Sequence, residues 1–248
     1  MIVIFIIALL FTSPAWGAFT EVGSGTQAKS CSGYGDTTTC AFAGSVTSGS
    51  LLIVGGQAYS GATVTSCGVT DTVKTSYSVL SYPATASTNH MFLAYGLAPS
   101  GGANTITVDC DVDVYVSYGI DEFSGSDATP LNVNAGGANG IDSAPTHSIT
   151  TTVADALIVG VAGDDSGNTS AITEGSGFTK IAEEENGSLY MRYGLEFKIA
   201  TSATTYTVDW TTADSVSWQV LAASFKPFVA AGGGATRRRL NAQGIVIE

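Results

Sequence analysis

The chain is poor in charge: Asp, Glu, Lys and Arg make up 12% of its 248 residues, against about a quarter in ordinary globular proteins. The shortage falls on one sign. Lys and Arg number 9 against 21 Asp and Glu, for a net charge of −12, and Arg237, Arg238 and Arg239 sit together near the end. A body this acidic argues against nucleic-acid binding, which needs clustered cations to neutralise phosphates. Histidine is scarce too, with His90 and His147 alone. That leaves little material for a Ser-His-acid triad, and there is no Gly-x-Ser-x-Gly elbow. His90 falls at a strand start and His147 in a loop after Pro145, and both read as plain surface residues. A phosphate-cradling Gly loop followed by Lys is missing, and the cysteine spacing does not suit zinc. Beyond the first residues no apolar run approaches the roughly 20 needed for a membrane helix.

What the sequence does contain begins with a leader. Residues 2–11 are uniformly apolar, Pro14 follows, and Ala15-Trp16-Gly17 places small residues three and one before a cut ahead of Ala18. Residues 1–17 therefore read as a secretory signal, too short to span a bilayer. The mature chain is expected outside the cytoplasm, without an integral membrane span. Export also assigns the four cysteines: Cys31, Cys40, Cys67 and Cys110 form two disulfides. The expected pairs are Cys31–Cys40, closing a loop of hairpin size over residues 32–39, and Cys67–Cys110.

Period-two alternation is the dominant pattern. Ile106, Val108, Cys110, Val112, Val114, Val116 and Tyr118 alternate with mostly Thr, Asp and Ser, which marks a strand with one buried face. Thirteen such residues exceed the usual five or six, and the matching stretch of the second half breaks at Thr211-Thr212-Ala213-Asp214, so a turn near 111–114 is expected. Further strands are expected at 38–43, 51–58, 77–82, 90–97, 148–152, 156–162, 178–183, 189–199 and 218–226. Turn residues separate them, the strongest hairpin signal being Asn186-Gly187. No segment carries a helical period with caps. The fold class is all-β: an antiparallel β-sandwich or jelly roll.

The second half echoes the first. Leu52-Ile53-Val54-Gly55 returns as Leu157-Ile158-Val159-Gly160, and Tyr95-Gly96-Leu97 as Tyr193-Gly194-Leu195. Residues 103–124 align with 203–224 without a gap, with eight identities, Thr107, Val108 and Asp109 among them; chance would give roughly two. The expected organisation is a β-sandwich over 18–229 built from a duplicated half, about 25–125 and 145–228. A Gly/Asn-rich stretch over 132–143 joins the halves, as a crossover in one domain or a linker between two small ones. Residues 230–248 are a Gly/Arg tail whose Arg237, Arg238 and Arg239 could dock on an acidic neighbour, a second copy included.

Leu51-Leu52-Ile53-Val54, Asp121-Glu122-Phe123-Ser124-Gly125, Thr129-Pro130-Leu131, Ser148-Ile149-Thr150-Thr151-Thr152 and Ala222-Ala223-Ser224-Phe225-Lys226 follow in order. In this series residues 25–228 resemble a β-sandwich module of secreted bacterial surface proteins and of phage or metagenomic structural proteins. The motifs are structural and of low specificity. The resemblance implies a scaffold or adhesion role, with other surface or virion proteins as partners, and transfers no catalytic residue.

The functional expectation is a non-enzymatic, exported structural or adhesive protein. A carbohydrate-binding module is the alternative, using Tyr59, Tyr77, Tyr82 and Tyr115; Tyr115 falls in the polar phase of its strand, whereas Tyr118 and Trp218 fall in the apolar phase. No cofactor is expected beyond calcium as a structural ion, for which Asp109, Asp111 and Asp113, or Asp164 and Asp165, offer oxygens. The competing reading of those acids is a solvated turn that discourages edge pairing. A glycan hydrolase or lyase using Asp121 and Glu122 is a third option. Asn168 and Asn186 head N-glycosylation sequons.

Overall fold

The computed structural model describes residues 17–83, 87–164, 171–186, 191–229, 239–240 and 246–247. The leader through Trp16, Asp165, Asn168, Gly187, Arg237 and Arg238 lie outside the described residues. In chain order the strands are β1 (Thr20–Glu21), β2 (Lys29–Val46), β3 (Leu51–Val64), β4 (Cys67–Asp71), β5 (Ser78–Tyr82), β6 (Ser87–Leu97), β7 (Gly102–Ser124), β8 (Ser126–Asp142), β9 (Thr146–Thr150), β10 (Leu157–Asp164), β11 (Thr179–Asn186), β12 (Met191–Ile199), β13 (Thr205–Asp209) and β14 (Val216–Pro227). The tail adds β15 (Arg239–Leu240) and β16 (Val246–Ile247), paired with each other. The 3-10 turn Val22–Gly25 is the one helical element among the described residues. The chain is an all-β sandwich in which the pairings of all the strands are antiparallel.

Two main sheets face each other. One runs β5-β6-β3-β7, with β1, β2 and β4 also on β7; the other runs β11-β12-β10-β14-β8. The strands face alternate sides, so odd positions such as Leu51, Ile53, Leu93 and Phe123 meet Leu157, Val159, Leu195 and Phe225 in a middle core built from both halves. The sheets meet closely at several glycines: a Cβ at Gly55 would stand 2.7 Å from Leu195 Cδ1, one at Gly119 2.6 Å from Ala182 Cβ, and one at Gly137 2.3 Å from Tyr82 Cγ. Each sheet also buries its outer face. In the first half, β2 and β7 curl so that Phe42, Ile106 and Val108 close over Leu52, Val54 and Phe92. In the second, the β9–β13 ribbon brings Ile149 and Val208 over Ile158 and Val220. Tyr118 and Trp218 are buried as their phase predicts.

Several sequence expectations change here. Residues 111–114 make no turn, because β7 runs unbroken through them. The irregularity is instead in its pairing with β2, where Gly35 meets Val114 and Thr37 meets Asp109. Four residues of β7 stand between partners two apart on β2, and the strands bend together there. Gly35 serves the bend with a φ of +135°. Cys31–Cys40 therefore spans the bend of one strand rather than closing a hairpin, whereas Cys67–Cys110 links directly opposed residues of β4 and β7. Residues 132–143 are no linker either: all but the last belong to β8, paired along β14. Two glycines of β8 make room for aromatic rings: a Cβ would stand 2.3 Å from Tyr82 Cγ at Gly137 and 2.5 Å from Trp218 Cζ2 at Gly140.

The two sheets share a strand order, yet the matching peptides do not share a register. Tyr95 lies opposite Ile53, inside its Leu-Ile-Val-Gly run, whereas Tyr193 lies opposite Gly163, beyond the second run. Leu52 faces an outer core and Leu157 the middle one.

Candidate functional site

The inner face of the first sheet changes character along its strands. One end is apolar, with Phe123, Leu51 and Leu97 side by side. Toward the other end the cross-strand row becomes Ser32, Ser117, Gln57, Met91 and Tyr82. The next row is Tyr34, Tyr115, Tyr59 and Asn89. Direct cross-strand partners share a face, so the three tyrosines stand on three adjacent strands about 5 Å apart.

Among the described residues the tyrosine end of this row lies past the cover of the second sheet, whereas Asn89 at its other end is buried. Gln57, one row inside, donates its Nε2 to Asn89 Oδ1 at 2.8 Å and to the carbonyl of Asp164, the last residue of β10, at 3.0 Å. Gln219 reaches the Asn89 carbonyl at 3.5 Å. At the β2 edge, Ser30 bonds Glu184 at 2.7 Å and Tyr193 Oη at 2.6 Å, and Ser32 also donates to Glu184. These bonds fix the two sheets at the mouth of the sandwich. The tyrosines project beyond it: Tyr34 is 63% exposed, and Tyr59 and Tyr115 are half-buried. The Tyr34 and Tyr115 rings lie 4.4 Å apart between centroids, tilted by 42°. Asp36 and Asp113 are exposed two residues beyond Tyr34 and before Tyr115.

Of the tyrosines singled out from the sequence, the fold thus brings Tyr59 and Tyr115 together and places Tyr82 one row inside, on edge strand β5. Tyr82 donates to Asn139 Oδ1 at 2.6 Å. Tyr77 is elsewhere: it packs against the outer core and donates to Asp71 at 3.0 Å. Tyr34 was not singled out. Its partnership with Tyr115 depends on long-range register, and the only sequence signal was an aromatic between two cysteines.

The candidate calcium ligands do not gather. Asp109, Asp111 and Asp113 are exposed on one run of β7. Asp111 is taken up by Thr65 and Ser66, and the Thr65 hydroxyl bond holds its carboxyl below the ordinary range. Asp109 accepts from Thr37 at 3.5 Å. Asp164 is buried at the end of β10. Among the described residues no group of three or more His, Cys, Asp or Glu is placed to hold a metal.

Buried titratable groups occur along the chain, Asp164 at the mouth of the sandwich and others deeper in the sheets. Asp121 and Glu122 are fully buried, and Glu122 accepts the Thr47 N–H at 2.7 Å. Burial, reinforced by Glu21 and Glu122, pushes the Asp121 carboxyl up. Glu196, under the Gly175 N–H at 2.9 Å, is pushed up to about 8 by burial, with Asp209 and Glu174 adding to the shift. His90, expected at the surface, is 1% exposed, and neither ring nitrogen has a hydrogen-bond partner among the described residues; burial holds its pKa down. Period two explains this reversal: His90 shares the side of Phe92 and faces the outer core. His147 lies in β9, with Nε2 3.0 Å from the Ala135 carbonyl.

No protein-family model matches the chain, and no curated protein or solved structure matches it either.

Proposed function

We propose that this is an exported, non-catalytic surface protein that acts as an adhesive or structural module, with the tyrosine row as its contact face. The observation that carries the reading is the row itself: three tyrosines stand side by side on three adjacent strands at one end of a sheet face whose middle packs against the opposing sheet. Aromatic side chains give large contact area for little conformational entropy, which suits exposed tyrosines to a binding surface. Two disulfides brace the half that presents them, in keeping with an oxidising compartment. The shifted carboxyls of Asp121 and Glu196 are sealed from solvent, which favours a structural role over acid–base work on a substrate.

Export is tested by expressing the full chain in a bacterium and fractionating the cells. The reading expects protein outside the inner membrane, beginning at Ala18 and without free thiol. Retention in the cytoplasm with residues 1–17 still attached would contradict it.

A further inference from the structure

The geometry points to a neutral polysaccharide as the ligand of the tyrosine row, an inference that rests on the adhesive reading above and names its chemistry. Tyr34, Tyr115 and Tyr59 follow one another across β2, β7 and β3 at the inter-strand spacing of about 5 Å. That repeat is close to the length of a sugar ring, so a glycan chain laid across the strands can set successive rings against successive tyrosines. Aromatic faces meet the C–H side of a pyranose, and the phenol hydroxyls bond its edge.

The surroundings supply the rest of a sugar site. Beyond Tyr59 the floor is open: a Cβ added at Gly61 would meet nothing within 4 Å. Asp36 and Asp113 stand exposed beside the row, as acceptors for sugar hydroxyls. The same carboxylates, on a chain of net charge −12, repel uronate or sulfate polymers. Aromatic surface with exposed acceptors selects a neutral, hydroxyl-rich chain. An apolar peptide would leave the two carboxylates desolvated and unpaired.

The test is affinity electrophoresis of residues 18–248 through native gels. The gels carry galactomannan, xyloglucan or hydroxyethyl cellulose as neutral probes, and alginate as the anionic one. At least one neutral polymer should retard the protein, and Tyr34→Ala and Tyr115→Ala should each weaken binding about tenfold, the size of loss seen when a central aromatic anchor is truncated. Tyr206→Ala, at a half-buried tyrosine elsewhere, should bind as wild type, and melting curves identify any variant that fails to fold. Tyr34→Phe separates the ring from its hydroxyl and should retain most of the binding. Retardation by alginate alone, or neutral binding untouched in folded Tyr34→Ala and Tyr115→Ala, would overturn the proposal. So would retardation in plain gels that rises with protein concentration and vanishes in Tyr34→Ala, which would make the face a contact between copies. If protein-coated beads stick to bacterial envelopes through these tyrosines but no neutral polymer binds, the ligand class falls and the adhesive reading stands. If neither occurs, both fall.

Discussion

Buried ionisable side chains give this protein a pH dependence that its surface charge would not suggest. Asp121 and Glu196 titrate above their unfolded values, so the folded state holds protons that the unfolded state releases. Their contribution is complete below about pH 4 and is lost as pH rises toward 8, at up to roughly 1.4 kcal/mol per pH unit for each group. His90 acts in the opposite sense. Its depressed pKa gives a contribution present above about pH 6.5 and lost as pH falls below that value. Urea unfolding should therefore show lower stability at pH 8.5 than at pH 6.5. Glu196→Gln should flatten that decline, since a neutral amide no longer titrates; an equally steep decline in the variant would place its origin elsewhere. Single residues also show the limit of reading phase alone. The alternation that correctly buried Tyr118 also applies to His90, whose side of β6 becomes an outer core only because β2 and β7 curl over it.

Gly55 and Gly119 set how closely the facing strands approach. Gly119→Val would drive a branched side chain into Ala182 and Leu195 and should cost about 1–3 kcal/mol by overpacking. Differential scanning calorimetry of the variant reads that loss directly, and an unchanged melting temperature would mean that the sheets can separate there without cost. The elements themselves were largely legible: period two located most strands, and the cysteines gave both pairings. What failed was connectivity. The break at Thr211-Thr212-Ala213-Asp214 between β13 and β14 suggested a turn at 111–114 in the first half. There, however, β2 stays bonded to both arms of β7 and Cys67–Cys110 holds the outer arm to β4, so a bend suffices. The Gly/Asn composition of 132–143 suggested a linker, because Gly137 and Gly140 make room for the rings of Tyr82 and Trp218, which lie far off in the sequence. The tyrosine row was half legible. Tyr59 and Tyr115 could be nominated as outliers, but Tyr34 joins them only through the pairing of residues 81 apart in the chain.

The whole molecule is held by a middle core that draws on both halves. Leu195, buried there against Gly55 and Gly119, should lose about 2–5 kcal/mol on replacement by Ala. If the halves unfold together, Leu195→Ala will lower a single calorimetric transition; separate transitions with only one displaced would show two independent units. The tail tests the structural branch of the function. Light scattering of residues 18–248 and 18–229 should show a multimer that dissociates on truncation if Arg237, Arg238 and Arg239 dock on an acidic neighbour, whereas a monomer in both forms would leave adhesion as the sole role. Adhesion through the open end of the sandwich is the central claim, and its most direct measurement is the retention under flow of beads coated with residues 18–248 on a layer of bacterial envelope. The account predicts firm retention by the wild type and its loss in the folded double variant Tyr34→Ala/Tyr115→Ala. Equal retention of the two, or none by the wild type, would contradict it.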